Sequence, residues 1–178
     1  MRLNPAIHDE VQEALALELP PSEAWTEVDI HHALLRVVAM VSGRVFIGAE
    51  LCRNEKYLDS AINYTMDVMA AQRAVQSVRP WLRPFLANKL PQVKKLDERI
   101  KEAQEFLRPV IDGRKQAPGD SLPDDYNDML SWLLKEQPNF PDSKSQNIAK
   151  AQLGLSFAAI HTTALTATNA QVTLISEP

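Results

Sequence analysis

Apolar residues recur at spacings of three and four along almost the whole chain, and no strand-like alternation persists beyond three residues. That spacing stacks side chains on one face of a helix, whereas a half-buried strand needs strict alternation. The chain is therefore expected to be all-α, with about six helices. Asn4 and Pro5 can open the first, whose stripe is Ile7, Val11, Ala14 and Leu15. Leu19-Pro20-Pro21 ends it, because proline disfavours a helical residue before it. Thr26 to Asp29 has the form of a capping box, with Trp25 and Ile30 placed as a hydrophobic staple. The second helix carries Leu34, Leu35, Val38, Val41 and Val45 and should stop near Gly48.

A third helix spans about Glu55 to Val78, with Leu58, Ile62, Thr65 and Met69 on one face. Pro91 opens a fourth, carrying Val93, Leu96, Ile100, Ala103, Leu107 and Val110. Pro109 should bend it and Gly113 should stop it. Residues 112–124 contain Pro118, Gly119 and Pro123 and read as a surface linker. A short helix follows with Met129, Leu130, Leu133 and Leu134, then a loop from Pro138 to Pro141. Ser143 or Ser145 can cap the last helix, expected over about 145–170 through Leu153, Phe157 and Ile160. Residues 171–178 show no clear period.

Composition removes several function classes. A length of 178 residues suffices for one domain with a sizeable core. Nineteen basic against 23 acidic side chains leave a net charge of -4, the wrong balance for nucleic acid as main partner. A single cysteine, Cys52, excludes an internal disulfide and fits a reducing compartment. No apolar run approaches the ~18 residues of a spanning helix. Residues 1–20 alternate charge with apolar side chains, unlike a secretory leader. His31 and His32 are adjacent and point to different helix faces, and His8 has no partner at ligand spacing, so no metal site is assigned. Lys94, Lys95, Arg99 and Lys101 are interleaved with Asp97, Glu98 and Glu102, which reads as a solvated helix face. There is no Gly-rich phosphate loop and no placeable Ser-His-Asp set.

The segment with chemical content is Ala158-Ala159-Ile160-His161-Thr162-Thr163. Small residues leave one side of a helix without bulk, so a flat ligand can approach its backbone. A threonine hydroxyl can bond back to the carbonyl four residues earlier and loosen the ladder. Small side chains, a loosened turn and a hydroxyl suit a site that seats a diatomic ligand and passes it a proton. From these residues alone, a packed helix with back-bonded hydroxyls is the commoner origin.

The segment resembles the oxygen-binding helix of the cytochrome P-450 haem-thiolate monooxygenases. That pattern reads Ala or Gly, small, any, acid, Thr, Thr or Ser; five of six positions match, and His161 stands where an acid is usual. Other stretches are similar to the family in the same order, over roughly residues 5–170. Ile30 to Ala39 with Ser42-Gly43-Arg44-Val45-Phe46-Ile47-Gly48 and Leu51-Cys52-Arg53-Asn54 looks like a stretch of fungal members. Tyr57 to Val68 looks like the helix that follows it. Trp81-Leu82-Arg83-Pro84-Phe85-Leu86 looks like the loop between the two helices that roof the substrate pocket, and Asp128-Met129-Leu130-Ser131-Trp132-Leu133 like the short helix before the oxygen-binding one.

The resemblance implies a single partial cytochrome P-450 domain over 1–178, ending at the oxygen-binding helix. It implies haem, a small apolar substrate and electrons from NADPH through a reductase. Thr162 would organise the proton transfer that splits the O–O bond, with Thr163 beside it. His161 would relay protons in place of the acid. Ala158 and Ala159 would line the haem, and Phe157 and Ile160 would touch substrate or haem edge. Residues 80–86 would meet a membrane surface, although composition alone fits a packed surface loop equally well, and the location would be cytoplasmic or at the endoplasmic-reticulum surface. A fungal secondary-metabolite role follows at family level only.

The resemblance places the iron-ligating cysteine beyond residue 178, so the chain is expected to be catalytically incomplete as given. Cys52 follows Gly48 by four residues, as in the haem-ligand loop, but Asn54 stands where Gly is needed and the place in the chain is wrong. Glu50 to Arg53 and Glu105 to Arg108 have the spacing of the family's Glu-x-x-Arg pair but precede the oxygen-binding helix, and read as structural neighbours on helix faces. Two other origins are a non-enzymatic helical interaction module and a truncated gene-model product, the latter suggested by residues 171–178.

Overall fold

The computed structural model describes residues 3–116, 128–136 and 145–176. Helices α1 (Asn4–Glu18), α2 (Ile30–Phe46) and α3 (Glu55–Ser77) are followed by a short helical turn α4 (Arg83–Leu86), flanked by single 3-10 turns. Then come α5 (Pro91–Gln116), α6 (Met129–Glu136) and α7 (Ser145–Ser176); among the described residues there is no strand. The all-α expectation stands, with one helix more than expected because the proline-rich loop supplies α4.

Helix α7 packs on α2, α3 and α5, while α1 covers α2 and α3 pairs with α5. The core where they meet contains Leu35, Met40, Ile47, Leu58, Leu107, Ile111, Leu130 and Ile160. Two glycines set close approaches. A Cβ on Gly43 would lie 2.7 Å from Tyr57 Cε1 and 3.1 Å from Cys52 Cβ, so α2 can cross the start of α3 only without a side chain there. Gly48 has φ 94° and ends the α2 turn, its N–H donating to the Gly43 carbonyl at 3.2 Å.

Several boundaries differ from the sequence expectation. Helix α2 starts at Ile30, not after Thr26, because Asp29 is the cap: its carboxylate accepts from the His32 N–H at 3.0 Å. Thr26 instead shares a hydrogen bond with Ser22, and Trp25 is fully exposed, so there is no staple. Asn4 lies inside the first turn of α1, and Leu3 at the cap position makes no side-chain bond. Helix α5 runs through Gly113 to Gln116. Tertiary bonds from Arg114 hold this last turn, which outweighs the modest helix penalty of a glycine. Helix α7 continues to Ser176, past the expected end near Ala170. There the hydroxyls of Thr173 and Ser176 bond back to the carbonyls of Asn169 and Thr173. Residues 112–116 of the expected linker belong to α5; its remainder, Ser143 and the loop over 138–141 lie outside the described residues.

Ion pairs tie the helices together. Glu18 of α1 and Glu55 of α3 both hold Arg36 of α2. Arg53 reaches Glu10 and Glu13 of α1, not Glu50. The basic face of α5 is not wholly solvated: Lys95 and the mostly buried Arg99 turn to Asp67 of α3. Burial alone would raise the Asp67 carboxyl, but the hydrogen bonds from Lys95 and Arg99 outweigh it and hold it below the usual range. The most buried pair is Arg114–Asp128, at 2.7 Å with side chains 8% and 3% exposed. Arg114 also donates to Ser131 Oγ and to the Ile47 carbonyl, and Asp128 caps α6 through the Ser131 N–H. Three helix ends therefore meet at one guanidinium.

Arg114→Met is expected to lower stability by about 3–5 kcal/mol, because Asp128 would stay buried and unpaired. Thermal denaturation followed by circular dichroism should show the loss, and adding Asp128→Asn should restore part of it. Equal melting of the single variant and the parent would mean the pair carries no net weight.

Candidate functional site

The stripe Ala149, Leu153, Ser156, Ile160 and Ala164 of α7 is buried against the other helices. Successive residues turn by about 100°, so burying this stripe assigns a face to every neighbour. Ala158 and Thr162 fall on the solvent side, with Thr163 also exposed and Ala159 half-buried. Leu155 and Leu165 flank them at 41% and 54% exposure. The Thr162 hydroxyl donates to the Ala158 carbonyl at 2.6 Å. The back-bond expected from the sequence is present, on the open side of the helix.

The six-residue segment does not act as one surface. Ile160 is fully buried in the core and does not line the open side. Phe157 is half-buried and meets the Tyr64 ring edge-on, with centroids 6.5 Å apart. His161 is half-buried toward α3, its Nε2 2.8 Å from the Ile62 carbonyl oxygen. The structure thus brings Ala158 and Thr162 together, with Ala159 and Thr163 adjoining them, and places Phe157, Ile160 and His161 elsewhere.

Sequence reasoning missed three features around α7. Thr168 Oγ1 lies 3.2 Å from Nδ1 of His31 on α2, a hydrogen-bonded contact between residues 137 apart that no local pattern signals. Gln152 and Ser156 are buried polar side chains on an otherwise apolar stripe. Their spacing of four was visible in the sequence, but their neighbour Tyr57 on α3 was not. Burial pushes the Tyr57 phenol up to about 12, against the opposing pull of Ser156 and Gln152.

Cys52 packs inside the core. It is fully buried, with its thiol 3.3 Å from the Ala49 carbonyl and 3.6 Å from Glu10 Oε1. Burial pushes the thiol up to about 11, and the Glu10 charge adds to the rise. No group of three or more potential metal-ligating side chains occurs among the described residues. Nor, among them, is any helix long and apolar enough to cross a membrane. In the turns around α4, Trp81 and Phe85 are exposed, while Arg83 bonds back to the Val78 and Gln76 carbonyls at the end of α3.

The sequence profile of the family described as Cytochrome P450 matches residues 2–178. That range includes residues 171–178, which therefore need no foreign origin. The chain is 38% identical over 170 residues to cytochrome P450 monooxygenase ATR3 of Stachybotrys chlorohalonatus, covering 93% of this chain and 35% of that protein. It is 38% identical to cytochrome P450 monooxygenase BOA4 of Botryotinia fuckeliana, covering 95% of this chain and 34% of that one. It is 37% identical to cytochrome P450 monooxygenase ORF5 of Penicillium roqueforti, covering 97% and 32%. The chain thus spans about a third of the length of these relatives. No solved structure gives a significant match.

Two outcomes follow from this geometry. Cys52 should resist alkylation by iodoacetamide at pH 8 in the folded chain and react readily in denaturant; fast labelling of the native chain would contradict its burial. Further along α7, Val172, Leu174 and Ile175 are exposed at 56% to 85%, adding to Leu155 and Leu165. Apolar surface of this extent favours association. The isolated chain should bind a hydrophobic dye and self-associate at micromolar concentration, as light scattering would show. A dye-silent monomer with a sharp melt would refute this.

Proposed function

Because the chain belongs to the cytochrome P450 family, we propose that it supplies the oxygen-binding helix and part of the pocket roof of a haem-dependent monooxygenase acting on a small apolar molecule. The observation that carries this reading is the Thr162 hydroxyl beside Ala158 on the open side of α7, bonded back at 2.6 Å. The donor set suits a flat apolar group: Ala158 adds no bulk beyond its Cβ, and Leu155 and Leu165 provide apolar flanks. When bound, haem supplies the oxidising chemistry, using O2 and electrons that NADPH delivers through a reductase.

The chain's own residues bind, orient and move a proton. Ala158 and Ala159 permit close approach to the backbone. The Thr162 hydroxyl hydrogen can rotate away from the Ala158 carbonyl toward a ligand on the open side, so it can give up a proton there. Thr163 offers a second exposed hydroxyl next to it. Phe157, set edge-on against Tyr64, and Ile160, fully buried, act from within the packing by fixing the height of this turn. Exposed Trp81 and Phe85 suit contact with a membrane surface, where aromatic rings favour the interface. Arg83 is committed to the α3 carbonyls, so this contact rests on the rings.

The test is the transcript beyond codon 178, followed by Thr162→Ala in the protein it encodes. An in-frame cysteine loop, haem uptake and NADPH-driven substrate oxidation are expected. The variant should keep haem uptake and lose product formation by about 10²-fold, the scale of a positioned proton donor. A message with no such loop, or an encoded protein that takes up no haem, would overturn the reading.

A further inference from the structure

His161 stands where the family pattern has an acid, and its geometry differs in kind from what an acid could make. Its Nε2 is 2.8 Å from the Ile62 carbonyl oxygen in the middle of α3. A carbonyl only accepts, so Nε2 carries the hydrogen. A carboxylate at this position would face that carbonyl with oxygen against oxygen and could not close the bond.

A second contact lies two turns further along α7, on the same stripe. Thr168 Oγ1 is 2.8 Å from the Ala164 carbonyl and 3.2 Å from Nδ1 of His31 on α2. The hydroxyl has one hydrogen, and the Ala164 carbonyl must take it. His31 Nδ1 therefore donates to Thr168. Two histidines thus pin α7, one reaching out from it to α3 and one reaching in from α2.

Both rings line one cleft of about 430 Å³, together with His32, Arg36, Glu55 and Asp59. The charged members are already engaged. Arg36 holds Glu18 and Glu55, and Asp59 takes Arg99. The histidine bonds are therefore contacts of helix to helix that stand apart from the ion pairs.

We propose that His161 is a positioning residue: its Nε2–H bond to the Ile62 carbonyl, with the His31–Thr168 bond, sets the rotation of α7 about its axis. His161 lies about 60° from Ala158 on the α3 side, and Thr162 about 40° on the other. Holding His161 against α3 keeps Ala158 and Thr162 turned to the open side. The proton role expected for His161 from the resemblance gives way to a tether. Its value for catalysis rests on the function proposed above, but the tether itself is a property of the fold.

The test is hydrogen exchange by mass spectrometry on the 178-residue chain, below the concentration of self-association, without haem. Peptides covering residues 158–168 are compared in the parent, His161→Gln, His161→Leu and His161→Glu. The glutamine amide can donate to Ile62, so its exchange should stay within about 3-fold of the parent. Leucine and glutamate cannot donate at neutral pH and should exchange about tenfold faster, the scale of one hydrogen bond. Peptides from α1 should be unchanged in all four and report that the chain folds. Leucine as protected as histidine, glutamine as exposed as leucine, or an unprotected parent helix would each overturn the tether. Because haem and turnover play no part, failure of the monooxygenase reading leaves this outcome unaffected, and the reverse holds.

Discussion

The burial of Ile160 and Ala164 decides what α7 can do. Both are fully enclosed, and a helix has no freedom to bury one stripe without assigning all the others. Losing the Ile160 side chain would leave a cavity worth about 2–5 kcal/mol, enough to release the helix from its rotation. The open side of Ala158 and Thr162 is therefore a consequence of the core, not an independent feature. The back-bonded hydroxyl matters only because the core places it there.

The core selects which stripe of α7 is buried, but apolar contacts are not directional and oppose small turns and slides only weakly. Direction comes from polar bonds at its margin. His161 fixes α7 to α3, and His31 fixes it to α2. The scaffold beneath is held in turn by Arg114, which gathers the ends of α2, α5 and α6. Buried polar groups of this kind contribute more to a unique arrangement than to net stability, because desolvation offsets much of their attraction. That division of labour suits a helix whose useful face must point one way.

Most of the helices were legible because their signals are local. The stripe Leu34, Leu35, Val38 and Val41 needed only the spacing of three and four. Boundaries were less legible, because competing caps sit close together. Thr26 and Asp29 both offer a carboxylate or hydroxyl at a helix start, and which one wins depends on whether Trp25 can pack; it does not. The end of α5 was hidden for another reason: Gly113 signals a stop, while the bonds that overrule it come from Asp128, Ser131 and Ile47. In the candidate site, the Thr162 back-bond was readable because donor and acceptor lie one turn apart. The orientation of His161 was not, since its partner Ile62 is 99 residues away.

The last turns of α7 show what the described helices do not accomplish. A helix of 32 residues is about 48 Å long, and its buried stripe ends at Ala164. Beyond it, Val172, Leu174 and Ile175 point to different sides and are all exposed. No single neighbouring helix could cover residues spread round the axis in this way, because one packing contact hides only one stripe. Covering all of them would take neighbours on several sides of α7. The relatives, about three times as long as this chain, have the length to do so. The same reasoning applies to Leu155 and Leu165, which leave apolar surface exposed beside Thr162.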